Sequence, residues 1–340
     1  MHIMKHFFYI FTILSLSFLS SCQNEDIDIN DGRICSVDVT VSLSDFYSCY
    51  DFIDTKHHFD NLEENRRYKS MNAAEIYQSF CTYYDILRGK CYAKIKTRVL
   101  FYNNDNGLLV DSILTYSDNA NEVIRTIHLP TGTYTAIATL TFKVEEGFYD
   151  EYWSLKEKES LNNVYLENTR AGSIWSIMSY DSREIVVGEK KENEVHMTPT
   201  PVGALCYAVF QNFQNNDKIT DIMVYTDDLA QGFRLDPNST ERVIFKEVGN
   251  WSYNYLLWSL PSDYYEDPVT CYQSDVFDYF YILAPQSNMY FAYCDKSTGK
   301  WRSVEMPRID IENGKTYLAY WDYNHWDKPY FGIADNEHWN

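Results

Sequence analysis

Positive charge is scarce in this sequence. Its 29 lysines and arginines stand against 49 aspartates and glutamates, a formal net charge of −20 at pH 7. A surface of that sign repels nucleic acid and anionic headgroups, which require cationic partners, so no nucleic-acid partner is expected. An apolar run of membrane-spanning length is missing too: the stretch from Phe7 to Leu19 falls short of the ~20 residues that cross a bilayer as a helix. No G-x-S-x-G, H-E-x-x-H, G-x-G-x-x-G or phosphate-loop pattern occurs, which removes the usual handles for nucleophilic, zinc-hydrolase and nucleotide chemistry. The eight cysteines include no C-x-x-C spacing, so neither a zinc ribbon nor a haem site is indicated, and no cofactor is expected.

What is present begins at Leu19-Ser20-Ser21-Cys22, a lipobox preceded by Lys5 and the apolar run. An ordinary cleaved export signal would end in an A-x-A-like site, whereas Leu, small, small, Cys fits lipoprotein processing. The expectation is a signal peptide over 1–21 and a mature chain starting at Cys22, whose thiol takes a thioether-linked diacylglyceryl group. Two or more acyl chains, each CH₂ contributing ~0.8 kcal/mol, hold a protein stably on a membrane. The polar, acidic residues 22–32 then read as a tether, and Glu25, Asp26 and Asp28 resemble the surface-export signals of Bacteroidota lipoproteins, a resemblance that implies display on the outer face of an outer membrane.

The remaining chain is too long for one compact domain and reads as mainly β. Cys35, Val37, Val39, Val41 and Leu43 alternate with polar residues, the period of a half-buried strand. From Asp45 the pattern dissolves into a loop, with a short helix expected over Asn72–Leu87 and ended by Gly89. Ala93, Ile95, Val99 and Phe101 share one face of the next strand, while Lys94, Lys96 and Arg98 give it a wet side. Asn106-Gly107 is a hairpin signal, because both residue types tolerate positive φ. Further strands follow from Leu108, from Val123 and from Tyr134, and then at Ile185–Val187 and Glu194–Met197. Thr198-Pro199-Thr200-Pro201 reads as a linker that cannot continue a ladder, giving domains over 33–197 and 202–340. The second domain repeats the style, with strands at 204–213, 219–226, 242–246, 254–260, 276–283, 289–293, 301–306 and 316–323.

Ile127-His128-Leu129-Pro130-Thr131-Gly132-Thr133-Tyr134 echoes the segment Ile309 to Tyr317, allowing a one-residue insertion. Duplication of a sandwich and the common chemistry of hairpins both account for it. Taken together, the lipobox, the acidic tail, the period-two first strand, the long insertion, the Leu129 to Tyr134 hairpin and the second β-domain resemble the anchor and accessory lipoproteins of Bacteroidota fimbriae. That resemblance implies tandem transthyretin-like β-sandwiches and a structural role in cell adhesion, with fimbrial subunits as partners. Arg33 stands alone beside the tether, so a pilin-type processing site is not evident and a non-polymerised subunit is implied. A glycan-binding surface lipoprotein is the alternative.

Three groups of residues are candidate sites. Paired carboxylates such as Glu63-Glu64, Glu145-Glu146 and Glu266-Asp267 fit solvated surface better than a glycosidase, and no catalytic residue is assigned. Asp51, Asp54, His57 and Asp60 recur every third residue, which would suit a divalent cation on a helical turn and equally suits a solvated loop, so no metal is assigned. Trp321, Tyr323, Trp326, Tyr330, Phe331 and Trp339 crowd the C-terminus, where Trp326 and Tyr330 are the candidates for stacking on a sugar or filling a partner's pocket.

Overall fold

The computed structural model describes residues 32–43, 46, 93–117, 121–144, 152–169, 176–189, 193–211, 218–226, 230–245, 255–259, 271–272, 275–325 and 327–333. Cys22, the Asn72–Leu87 segment, the Asp51 to Asp60 group and Trp326 lie outside them. The described residues are mainly strand.

The first ten strands are β1 (Ile34–Ser42), β2 (Ala93–Asn103), β3 (Leu109–Ser117), β4 (Glu122–Pro130), β5 (Gly132–Val144), β6 (Trp153–Lys156), β7 (Tyr165–Asn168), β8 (Met178–Val187), β9 (Glu194–Met197) and β10 (Thr200–Val202). In β1 the period-two pattern does what it predicts, with Val37, Val39 and Val41 buried and their neighbours facing outward. Burying each valine contributes roughly 1.5–3 kcal/mol and fixes the register, since a one-residue slip would turn all three to water. β1 runs antiparallel to β4 and parallel to β9, and packs against a five-stranded sheet in the order β10-β8-β5-β2-β3.

The Asn106-Gly107 hairpin forms between β2 and β3, with Gly107 at φ 70° and its N–H donated to the Asn103 carbonyl at 2.8 Å. The wet side expected for β2 is only partial, with Lys94 and Arg98 half-buried. Lys96 is 2% exposed, flanked across the ladder by Tyr116 and Thr141, and Leu100 and Tyr102 continue the same face fully buried. The segment between β6 and β7 covers them, and its Lys158 carbonyl accepts the Tyr102 hydroxyl at 2.9 Å.

The second series comprises β11 (Ala204–Gln211), β12 (Ile219–Tyr225), β13 (Ala230–Arg234), β14 (Val243–Phe245), β15 (Tyr255–Ser259), β16 (Cys271–Tyr272), β17 (Asp275–Ile282), β18 (Gln286–Asp295), β19 (Lys300–Asp310), β20 (Thr316–Asp322) and β21 (Tyr330–Ile333). Its sheets repeat the earlier order. β11 lies between antiparallel β17 and parallel β20 as β1 does between β4 and β9, and β15-β12-β18-β19 matches β3-β2-β5-β8. The echoed sequences, however, occupy different places in that order. One joins β4 to β5 and the other β19 to β20, whereas the counterpart of the first would join β17 to β18. What they share is a corner at which the chain changes sheets and a buried tyrosine ties the corner down. Tyr134 donates to the Pro130 carbonyl at 2.7 Å and Tyr317 to the Asp310 carbonyl at 3.1 Å.

Two features crowd the stretch read as a linker. Thr200–Val202 does continue a ladder: β10 pairs with β8, Pro201 opposite Ser179, on the edge of the sheet where a proline's missing N–H costs least. A fifth sheet, β14-β13-β7-β6, draws strands from before and after that stretch. It lies over the outer face of β8 and β5. Tyr180 meets Phe233 edge-on at 5.7 Å and donates to the Leu235 carbonyl at 2.8 Å, and the Trp153 indole donates to the Ser176 carbonyl at 3.0 Å. Arg242 lies over both rings, 4.0 Å from Tyr180 and 4.5 Å from Phe233. The cysteines at Cys35 and Cys206 are buried in strands, where a small apolar side chain fits, and burial pushes the Cys206 thiol pKa well up.

Candidate functional site

The second series packs its inner face around Trp321, whose ring lies 5.6 Å from Phe291 and 6.4 Å from Phe210. Trp321 is thus spent on the core, as packing of the final strands requires. Tyr330 begins β21, is half-buried, and donates its hydroxyl to the Ile333 carbonyl at 2.9 Å. Among the described residues no group of three or more His, Cys, Asp or Glu is arranged to hold a metal ion.

The polar and aromatic side chains that do converge sit on the outer face of the other sheet, β15-β12-β18-β19, whose inner face sets Phe291 against Trp321. Alternation sends Val224 and Phe291 inward, and therefore Tyr225 and Tyr290 outward. The register sets Tyr225 directly opposite Tyr290 and Tyr290 directly opposite Glu305. The two rings stack with centroids 4.6 Å apart and planes 7° from parallel. Tyr290 donates to Glu305 Oε1 at 3.0 Å. Asn288 joins them by ordinary alternation, two residues before Tyr290 on the same strand, at a register shift where two residues of β19, Pro307 and Arg308, stand against it. Its Nδ2 lies 2.9 Å from the Tyr290 hydroxyl and 3.4 Å from Glu305 Oε1. Four residues before Glu305 on the same face, Trp301 is 46% exposed, and Ala292 and Ser303 lie opposite one another between the two.

This arrangement presents aromatic surface and a carboxylate side by side on a sheet, with the Asn288 amide buried beside them. Such groups bind by stacking and by hydrogen bonds to hydroxyls. Sequence reasoning missed it, placing Met289–Tyr293 and Trp301–Met306 in strands without seeing which residues face each other. Cross-strand partners follow from register, and a single sequence offers no signal for that.

The fold and these surfaces define a mainly-β protein of paired sheets. Comparisons with solved structures find similar chains in Bacteroidota adhesion proteins. A candidate polysaccharide-binding protein of Bacteroides thetaiotaomicron is 9% identical, with a TM-score of 0.45 over 89% of this chain and 99% of that one. The fimbrial anchor protein Mfa2 of Porphyromonas gingivalis is 11% identical, with a TM-score of 0.41 over 72% of this chain and 87% of that one. A candidate adhesin of Bacteroides ovatus is 12% identical, with a TM-score of 0.39 over 86% of this chain and 87% of that one. No family model matches the sequence, and no curated protein does.

Proposed function

We propose that this chain is a cell-surface lipoprotein of the outer membrane, anchored through Cys22, that serves as a structural anchor or accessory subunit beside a fimbrium. The observation that carries the reading is Leu19-Ser20-Ser21-Cys22, directly after an apolar run and directly before an acidic tether. Among the described residues no helix is long and apolar enough to cross a membrane, so the lipid would carry the attachment. The body would be two transthyretin-like β-sandwiches over 33–197 and 202–340. Their repeated strand order supports this division, and β7 of the first pairs with β13 of the second. Replacing Cys22 by Ala should abolish fatty-acid labelling and release the protein from membranes. Labelling that persists refutes the anchor. Deleting the gene should leave filaments that mild shearing strips more readily, and filaments held as firmly as before refute the fimbrial role.

A second reading, glycan binding, is favoured by the Tyr225, Tyr290 and Glu305 surface. Tyr290→Ala and Glu305→Gln should then remove most binding to surface polysaccharide. Trp326→Ala with Tyr330→Ala tests the C-terminal alternative. Saturable binding untouched by any of them argues against both sites.

A further inference from the structure

The outer face of β12, β18 and β19 extends beyond the Tyr225, Tyr290 and Glu305 surface, and alternation along each strand decides what it shows. Val304 and Met306 pack inward against the core, so Trp301, Ser303 and Glu305 point outward along β19. Trp301 is well exposed at one end of this row, and the stacked tyrosines stand at the other. The step of four residues from Trp301 to Glu305 spans ~13 Å at ~3.3 Å per residue. Between the two ends the face is low, because the small side chains of Ala292 and Ser303 lie opposite one another. Aromatic side chains therefore flank a shallow stretch of sheet.

The polar groups here are arranged to accept. Asn288 donates to the Tyr290 hydroxyl, which donates in turn to Glu305 Oε1, so a directed chain of hydrogen bonds fixes the carboxylate. The longer contact from Asn288 falls on the same oxygen. Oε2 is left as an acceptor held in place for a hydroxyl or amide N–H of a ligand. The outward positions within 221–225, 290–294 and 301–305 carry two carboxylates, Asp221 and Glu305, and no lysine or arginine. An acidic ligand would meet like charge there, whereas hydroxyl groups meet an acceptor. We infer that this face is the site for an extended, uncharged oligosaccharide, held at one end by the tyrosines and Glu305 and stacked at the other on Trp301. A single sugar ring is shorter than the gap, so only an oligomer reaches both ends. The inference rests on the glycan reading above and adds to it the length and charge of the ligand.

The test uses the full-length protein in detergent and defined probes. These are tetrasaccharides of a neutral mannan, a neutral β-glucan and a neutral galactan, their monosaccharides, tetragalacturonate as the acidic counterpart, and pentalysine as a basic peptide. In titration calorimetry at least one neutral tetrasaccharide should bind saturably, its monosaccharide should bind about tenfold more weakly or not at all, and tetragalacturonate should not bind. Trp301→Ala should weaken the tetrasaccharide about tenfold through loss of one stacked ring, and Trp301→Phe should keep most of the affinity. Ser303→Arg, which fills the low stretch between the two ends, should weaken it as well. Circular dichroism of every variant checks that the sheet signal is retained. A tetrasaccharide that binds no better than its monosaccharide, binds unchanged in Trp301→Ala, or is matched by tetragalacturonate overturns the extended neutral site and leaves the glycan reading standing. No saturable binding of any sugar overturns both, and pentalysine bound in their place and lost in Trp301→Ala would make this a face for a basic protein segment instead.

Discussion

Gly232 is the position at which a single methyl group should separate the sheet shared by the two series of strands. A Cβ built there stands 2.7 Å from the Leu166 carbonyl oxygen, which is backbone of the neighbouring strand and cannot rotate aside. Relief requires β13 to move away from β7. Forcing a methyl into packed space costs ~1–3 kcal/mol, and the lower chain entropy of alanine in the unfolded state returns ~0.4–1, leaving Gly232→Ala about 1–2 kcal/mol less stable. Gly232→Val should break the pairing altogether. The register joins Gly232 to Glu167, Phe233 to Leu166 and Arg234 to Tyr165, and Phe233 is 4% exposed. Two or three hydrogen bonds at about 1 kcal/mol each and the exposure of a phenylalanine at about 2 kcal/mol give a loss of roughly 5 kcal/mol. Urea unfolding of the full-length protein should show the two losses in that order. Hydrogen exchange should localise them, with amides of β6, β7, β13 and β14 losing protection while those of β11 and β20 keep theirs. An unfolding midpoint for Gly232→Val equal to that of the unmodified protein, with β7 still protected, would refute the reasoning.

Other outcomes follow from the same contacts. Burial raises the pKa of Tyr102, Tyr134, Tyr180 and Tyr317, each of which donates its proton to a backbone carbonyl. A raised folded-state value means their contribution is fully present below the unfolded value of ~10 and is lost as pH climbs past it. Urea midpoints should therefore fall steeply in that alkaline range, and a flat profile there would contradict this. Arg242→Ala removes a cation from above two rings and should cost ~1–2 kcal/mol in thermal unfolding; Arg242→Lys should restore little, because a flat guanidinium stacks where an ammonium does not. Tyr134→Phe should cost about 1 kcal/mol through the loss of its hydrogen bond to the Pro130 carbonyl. Tyr317→Phe should cost more, since the Glu312 N–H that donates to its hydroxyl at 2.9 Å loses its acceptor as well, and equal losses would refute the assignment.

Legibility in the sequence followed burial on one side. β1 could be read residue by residue because one of its faces is core and the other is water. The Asn106-Gly107 turn could be read because its chemistry is local. Lys96 misled because a lysine reports its charged head, not the cover that Tyr116 and Thr141 give its stem. β6, β7 and β13 were missed together. They are four or five residues long, hold polar residues such as Lys156, Glu167, Gln231 and Arg234, and owe their strand state to partners far along the chain. Local propensity carries no trace of such a partner. The Tyr225, Tyr290 and Glu305 surface stayed hidden for the same reason, since three unremarkable strand residues become a surface only once register aligns them.

The pairing of β7 with β13 also sets an order of events as the chain emerges from synthesis. A chain emerging N-terminus first delivers Tyr180 55 residues ahead of the Leu235 carbonyl that accepts its hydroxyl. Until residues 230–234 arrive, β7 has no partner on that side and the outer face of β8 and β5 has only part of its cover. Closing so wide a loop is entropically slow. Until then the early half has an open strand edge, a species that chaperones would recognise and that self-associates when crowded. Variants that slow emergence of the later half should raise degradation of the whole chain, even though every early strand is intact.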